Sequence, residues 1–85
     1  MRRISISFEL GESRRYDDFF RRLQCLGAEP VMNSQWLLQT GFSVEEVEKD
    51  LRTRIDPADR LLVTYVGEMS ARNLINKDRF SKGSV

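Results

Sequence analysis

Residues 4–10, ISISFEL, alternate between apolar and polar side chains, and this alternation constrains the fold more than any other feature. Successive side chains of a strand point to opposite faces, so one face of this strand is predicted to be buried. That face would hold Ile4, Ile6, Phe8 and Leu10. Between residues 16 and 26 the apolar residues instead recur three and four apart, which indicates an amphipathic helix.

The rest of the chain continues this pattern in the order β-α-β-β-α-β. We predict a strand at residues 3–10, a helix at 14–26, strands at 29–33 and 35–40, a helix that begins with the Ser43–Glu46 capping box, and a strand at 61–67. This order is typical of an α+β ferredoxin-like fold, with two helices on one face of a four-stranded antiparallel sheet. We expect one domain over residues 1–75, with a short extra strand as an option near its end, and a flexible tail at 76–85.

The second face of such a sheet would be open. Ser5, Ser7 and Glu9 would lie there, and so would Leu62, Thr64 and Val66 if Leu61 and Val63 face the helices. The third strand would present either Leu37 or the pair Trp36 and Leu38. Monomers rarely expose so large an apolar patch, so we predict a homodimer with Ser7, Glu9, Leu62 and Val66 at its interface. The alternative is that the last strand has the opposite phase and its apolar residues belong to the core.

The composition excludes several classes of site. The chain has no His, which rules out a Ser/His triad or a zinc-His site within one copy, and its single Cys25 cannot form an internal disulfide. We expect Cys25 to be a small buried residue on the first helix. A net charge of +1 counts against strong non-specific binding to duplex nucleic acid. No signal peptide and no long apolar run is found, so a cytoplasmic protein without a membrane segment is expected.

Glu9 is the residue most suggestive of chemistry. It is either a solvated residue at the end of a strand or a ligand for a metal ion. In a two-fold dimer a residue near the axis meets its own copy, and two carboxylates in contact repel each other unless a proton or a cation lies between them. The predicted ion is Mg²⁺ or Mn²⁺, which carboxylates and water bind readily.

Other candidates lie around Glu9 in the predicted sheet. Arg14 and Arg15 could hold phosphates or belong to a solvated surface, and the same choice applies to Arg21 and Arg22. Ser34 would lie beside the hairpin, near Glu9. Trp36 is either a core or interface residue or a platform for stacking a base. Asp56 and Asp59 are expected to cap the turn between them by bonding the local backbone.

Four segments between residues 3 and 67 resemble a known family. In chain order they are ISISFEL, SRRYDDFFRRLQCLGA, NSQWLLQT and RIDPADRLLVTYVG. They are similar to the small ferredoxin-like subunit of the CRISPR adaptation machinery, and still more to its SinR-like bacterial and phage relatives. The virulence-associated protein D ribonucleases are a more distant likeness.

This resemblance implies roles for several residues. The family Asp that is proposed to bind Mg²⁺ corresponds to Glu9, which is one methylene longer, and the family's basic residues and Ser correspond to Arg14, Arg15 and Ser34. It also implies that residues 68–74 add a strand across the dimer.

The first functional hypothesis is a homodimeric nucleic-acid-associated protein with a metal-dependent endonuclease site at Glu9, acting on RNA or DNA. The second is a non-catalytic dimeric scaffold or interaction module, associated with defence or with a toxin–antitoxin pair, that binds nucleic acid or a protein partner. The third is a domain regulated by a small ligand. A ferredoxin-like fold is compatible with all three hypotheses.

Overall fold

The computed structural model describes residues 1–12 and 15–75 of the 85-residue chain. Its elements are β1 (Arg2–Glu9), α1 (Asp17–Leu26), β2 (Glu29–Met32), β3 (Gln35–Thr40), α2 (Val44–Arg52) and β4 (Arg60–Tyr65). The four strands form one antiparallel sheet in the order β2-β3-β1-β4. The predicted α+β ferredoxin-like fold is therefore confirmed.

The main core lies between the two helices and one face of the sheet. It holds Ile4, Ile6 and Phe8 from β1, Trp36 and Leu38 from β3, Phe19 and Leu23 from α1, and Val47 and Leu51 from α2. Trp36 is only 8% exposed, and its ring lies 6.0 Å from that of Phe20. Trp36 is thus a core residue, and its use as an exposed stacking platform is excluded.

The helix boundaries follow from local sequence signals. Ser43 caps α2: its hydroxyl accepts a hydrogen bond from the Glu46 backbone N–H at 3.1 Å, and its own backbone N–H donates to the Glu46 carboxylate at 2.9 Å. The predicted capping box is confirmed. Helix α1 begins at Asp17 rather than at residue 14 and ends before Gly27, whose φ of 90° favours glycine.

The prediction that Cys25 is buried is wrong, because the structure places it on the surface of α1. The buried stripe of this helix runs through Phe19 and Leu23. Cys25 lies two positions beyond Leu23, which is about 200° around the helix axis. The neighbouring apolar residues in sequence therefore do not share its face.

After β4 the chain turns back over the open face of the sheet, and residues 66–75 are called the C-terminal segment below. Its apolar side chains Val66, Met69 and Leu74 pack on Val31 and Leu37, which face away from the main core. Two backbone bonds fix its ends: Val66 N–H to the Arg3 carbonyl at 2.9 Å, and Ile75 N–H to the Val31 carbonyl at 3.0 Å. The chain thus covers part of its own open face.

The optional extra strand at 68–74 is not formed within the described residues. The two apolar anchors of this stretch, Met69 and Leu74, are five residues apart and do not alternate as in a strand. Asn73 also has a φ of 56°, which interrupts extended backbone. The predicted tail at 76–85 lies outside the described residues.

Asp59 joins the loop after β1 to the turn before β4. Its Oδ1 accepts from the Gly11 N–H at 2.8 Å, and its Oδ2 accepts from the Tyr16 hydroxyl at 2.5 Å. The Asp56 N–H also donates to Oδ2 of Asp59 at 2.9 Å, and Asp56 in turn accepts from Ala58 N–H at 2.9 Å. The predicted structural role of this turn is confirmed, and Asp59 additionally holds a distant loop in place.

The Tyr16–Asp59 contact gives a prediction about alkaline pH. The hydrogen bond to Asp59 is the main cause that raises the pKa of Tyr16 above its ordinary value of 10.0, and desolvation and the carboxylate charge act in the same direction. Folding therefore favours protonated Tyr16, so the stability it contributes is complete below the ordinary pKa and is lost as pH rises through the raised pKa. The Tyr65→Phe variant leaves Tyr16 as the only tyrosine, since the chain has two. The tyrosinate absorbance of this variant is expected to appear at higher pH in the folded protein than in the urea-unfolded protein. Identical titration curves for the two states would contradict the prediction.

Candidate functional site

The strand register confirms the predicted open face. Ser7 of β1 lies opposite Gln35 of β3 and Leu62 of β4, and Ser5 lies opposite Leu37 and Thr64. Leu61 and Val63 pack against the main core on the other side. Leu62, Thr64 and Val66 therefore share the face of Ser5 and Ser7, and the alternative phase of the last strand is excluded.

An open depression of about 630 Å³ lies where β1 ends, next to the turn between β2 and β3 and the start of β4. It is called the Glu9 depression below, and its side chains include Ser7, Glu9, Met32, Ser34, Arg60 and Leu62. Four of these residues were predicted from the sequence as site or interface residues, namely Ser7, Glu9, Ser34 and Leu62. The structure thus brings most of the predicted site together.

Strand pairing explains why these residues meet. Glu9 is the last residue of β1 and pairs with Arg60, the first residue of β4. The N–H of Phe8 donates to the Ser34 carbonyl at 3.1 Å, which holds the β2–β3 turn beside the end of β1. Below them, Nε2 of Gln35 donates to the Ser5 hydroxyl at 2.6 Å and so satisfies a buried polar group.

Arg60 neutralises Glu9. Its Nη1 donates to Oε1 of Glu9 at 2.9 Å, and this hydrogen bond, followed by the carboxylate charge, raises the pKa of Arg60. Both side chains remain accessible, at 71% exposure for Glu9 and 82% for Arg60. Water screens such an exposed pair, so it contributes little to folding and both groups can take part in other contacts.

The sequence interpretation did not identify Arg60 as a site residue. It placed the last strand at 61–67, one residue later than the observed Arg60–Tyr65. In an antiparallel pair the first residue of one strand faces the last residue of its neighbour. Placing β4 one residue earlier would have set Arg60 opposite Glu9.

The depression also exposes two large apolar side chains. Leu62 is 60% exposed and Met32 is 50% exposed, although both lie at strand positions. The C-terminal segment covers Val31 and Leu37, whereas Leu62 and Met32 stay largely accessible to water. The depression therefore combines a neutralised charge pair with an uncovered apolar surface.

A hard divalent ion needs several oxygen ligands, with carboxylates among them. Within residues 1–12 and 15–75, no group of three or more His, Cys, Asp or Glu side chains is placed to hold a metal ion. Among the described residues that line the depression, Glu9 is the one carboxylate, beside the hydroxyls of Ser7 and Ser34 and the amide of Asn33. Mg²⁺ is commonly held by one or two carboxylates together with water or phosphate oxygens. Among the residues that the structure describes, a second carboxylate for a Glu9 metal site would have to come from another copy of the chain.

Three of the predicted site or interface residues are not found at the Glu9 depression: two lie at other places in the fold, and one is outside the described residues. Arg15 precedes α1 and pairs with Asp17 at 3.0 Å, with both side chains exposed, and it does not line the depression. Val66 belongs to the C-terminal segment and packs near Leu37. Arg14 lies outside the described residues.

Arg22 has a structural partner. Its Nε donates to Oδ2 of Asp50 at 2.7 Å, which connects α1 to α2 and raises the pKa of Arg22. Arg54 also approaches Asp50, at 3.5 Å. These contacts make Arg22 part of a link between the helices, on the side of the sheet opposite the Glu9 depression.

The helices in the described ranges are too short and too polar for any of them to cross a bilayer. Comparisons with protein-family models, with curated proteins and with solved structures found no match. The resemblance of residues 3–67 to the CRISPR adaptation subunit therefore stays a hypothesis, and the functional proposals rest on the geometry of the open face.

Proposed function

We propose that the chain is a homodimeric interaction module in which two copies join through the Glu9 depression. The observation that supports this most strongly is the exposed Glu9–Arg60 pair beside the uncovered Leu62. In a two-fold interface the same surface meets itself. Glu9 would then face Arg60 of the partner subunit, while Arg60 faces Glu9 of the partner subunit, so the charges are self-complementary.

The apolar side chains would supply the binding energy. Leu62 and Met32 flank the charge pair and would lose their contact with water in the dimer. A chain of 85 residues buries a limited fraction of its surface by itself, so burial between two copies adds to its stability. The proposed interface thus has an apolar centre and a charged surround, as specific interfaces commonly do.

As a scaffold, such a dimer would present two copies of its outer surfaces to RNA, DNA or a protein partner. The Arg60 contact supports a scaffold over a catalyst, because Glu9 already has a cationic partner within its own chain. The resemblance to the CRISPR adaptation subunit agrees with this role, since that subunit can act as a scaffold without cleaving.

The second candidate is a divalent-metal-dependent endonuclease at the same interface. It is favoured by the convergence of Ser7, Glu9 and Ser34 on one depression. Glu9 from each copy would hold Mg²⁺ or Mn²⁺, and the bound ion would supply an activated water for phosphodiester hydrolysis. Arg60 would release Glu9 and instead hold the phosphate of the substrate.

The association is tested by light scattering over a range of protein concentrations. The parent protein is expected to approach twice the 9.9 kDa of one chain as its concentration rises. A mass of one chain at every concentration would contradict the homodimer and both candidate functions that depend on it.

Catalysis is tested with labelled single-stranded RNA and DNA in Mg²⁺, in Mn²⁺ and in EDTA. The scaffold proposal predicts no cleavage by the parent or by Glu9→Gln. The endonuclease candidate predicts metal-dependent cleavage that falls by about 100-fold or more in Glu9→Gln, the scale of losing one electrostatic stabiliser. Glu45→Gln, an exposed helix residue with the same charge change, is the control and should cleave like the parent.

A further inference from the structure

Strand β4 forms an edge of the sheet, because it pairs with β1 on one side and with no described strand on the other. In an antiparallel pair the backbone groups of every second residue bond the neighbouring strand, and those of the others point away from it. The Val66 N–H donates to the Arg3 carbonyl at 2.9 Å, so Val66 and every second residue before it point towards β1. The backbone groups of Leu61, Val63 and Tyr65 therefore point outwards, and they are called the outer row of β4 below.

The pairing of β1 with β3 gives the same assignment. The Phe8 N–H donates to the Ser34 carbonyl at 3.1 Å, so Phe8 points its backbone groups away from β4, and its neighbour Glu9 points towards β4. Within residues 1–12 and 15–75, no backbone hydrogen bond reaches the outer row. This edge of the sheet thus offers a row of backbone donors and acceptors to another chain.

The opposite edge of the sheet, β2, is protected in three ways. Pro30 lacks an N–H, the register shifts between Pro30 and Met32, and the Val31 carbonyl accepts from the Ile75 N–H at 3.0 Å. In β4, the residues after Arg60 include no Pro and no charged side chain, and the register with β1 is regular. A regular and uncovered edge strand is a template for a further strand.

Arg2 places a positive charge beside this edge. Its guanidinium carbon lies 5.4 Å from the centre of the Tyr65 ring, and its Nη1 donates to the Tyr65 hydroxyl at 3.4 Å. A cation over an aromatic face is attracted by the ring electrons, which holds Arg2 at the edge strand. Arg2 has the same strand phase as the core residue Ile4, so it lies on the side of the sheet that carries the helices. Within the described residues, no carboxylate forms an ion pair with Arg2.

The charges favour a foreign strand over a second copy of β4 at this edge. Two β4 strands related by a two-fold axis within one sheet would be antiparallel, which brings the Arg60 end of each beside the Tyr65 end of the other, where Arg2 lies. β4 itself contains no Asp or Glu. Asp59, which precedes it, already accepts from the Gly11 N–H at 2.8 Å. An acidic segment from another protein would instead bring the opposite charge to Arg2.

We propose that the β4 edge binds an extended, acidic segment of a protein partner, which joins the sheet as a further antiparallel strand. Backbone hydrogen bonds to the outer row provide the affinity, and side chains provide the specificity. An acidic side chain of the segment lies beside Arg2, and its apolar side chains lie on the open face beside Leu62, which is 60% exposed. The proposal goes beyond the proposed dimer, which uses the open face and not the outer row.

The probe is a synthetic peptide, Glu-Val-Glu-Val-Glu-Val-Glu, capped at both ends. Its alternation places every Glu on one face and every Val on the other. The full chain labelled with ¹⁵N is titrated with this peptide and followed by NMR. The backbone amides of Leu61, Val63 and Tyr65 are expected to shift saturably and to become protected from hydrogen exchange. The amides of Leu62 and Thr64, which face β1, should change less, and the absence of a saturable shift in the outer row at millimolar peptide overturns the proposal.

Two N-methylated versions of the peptide test the backbone contact. Residues directly opposite each other in an antiparallel pair share a face, so the Glu residues are those that bond the outer row. Methyl groups on the Glu nitrogens should abolish binding, whereas methyl groups on the Val nitrogens lie on the far side of the added strand and should preserve it. Equal binding of the two versions overturns the proposal. Protection of the outer-row amides that rises with protein concentration, without peptide, would assign the edge to a second copy and also overturn it.

A charge exchange tests the role of Arg2. Arg2→Glu is expected to weaken binding of the Glu peptide by about 10-fold or more, because like charges would meet, and to strengthen binding of the same peptide with Lys in place of Glu. Arg21→Glu makes the same change at an exposed position of α1 and should bind both peptides as the parent does. If Arg2→Glu, folded by its NMR spectrum, also binds both peptides as the parent does, the acidic specificity is overturned.

Discussion

Leu62→Asp is expected to convert the proposed dimer into a monomer and to raise its dissociation constant by about 30-fold or more, the scale of an interface hot spot. Leu62 is 60% exposed and lies in the Glu9 depression beside the charge pair. The substitution would remove apolar contact area and place an extra carboxylate near Glu9 of the partner subunit. Sedimentation velocity at several protein concentrations measures the change.

The control for this prediction is Phe42→Asp. Phe42 is 51% exposed, lies before α2 and does not line the Glu9 depression, so the same change from an apolar to an acidic side chain should leave the dimer intact. Equal dissociation constants for Leu62→Asp and the parent would show that Leu62 lies outside the interface.

Phe19→Ala is expected to lower the free energy of unfolding by about 3–5 kcal/mol, the usual cost of removing a buried aromatic ring. Phe19 is 0% exposed, and its ring centre lies 5.1 Å from that of Phe8 and 5.3 Å from that of Phe20. Small domains are stable by roughly 0.05–0.15 kcal/mol per residue, so this loss is a large share of the total. Urea denaturation followed by circular dichroism measures it at a fixed protein concentration, because dimerisation adds to the apparent stability.

Phe42→Ala is the matched control for the core prediction. It removes the same ring from a position that is 51% exposed, and its effect is expected to be much smaller. Similar losses of unfolding free energy in both variants would contradict the placement of Phe19 in the core.

The fold was predictable because its signals are local. Alternation in β1 and β3, the three- and four-residue spacing in α1, and the Ser43–Glu46 cap each act over a few residues. The predicted bounds of the third strand, 35–40, agree with the observed Gln35–Thr40. Once these elements are known, their order leaves few arrangements, and the ferredoxin-like topology is one of them.

The packing of the C-terminal segment was not predictable in the same way. Met69 and Leu74 follow neither a helical nor a strand period, and their partners Val31 and Leu37 are more than thirty residues earlier in the sequence. The exposure of Cys25 depends on the rotation of α1 about its axis. The residues next to Cys25 in the sequence do not define that rotation by themselves. Both features result from contacts that are distant in sequence.

The candidate site was partly predictable. Glu9, Ser7 and Leu62 were grouped from the strand phase alone, and the structure places all three at one depression. Arg60 was missed through a strand boundary one residue late, and the ion pair it forms changes the interpretation of Glu9. An isolated carboxylate suggests a metal ligand, whereas a neutralised one suggests a contact within or between chains.

The most direct test of the proposed dimer reverses one charge at a time. Glu9→Arg and Arg60→Glu should each be monomeric by sedimentation velocity, because like charges would then meet across the two-fold axis. Mixing the two variants should produce a heterodimer, since every contact between Glu9→Arg and Arg60→Glu again joins opposite charges. Two dimeric single variants, or a mixture that stays monomeric while the parent dimerises, would contradict an interface built on Glu9 and Arg60.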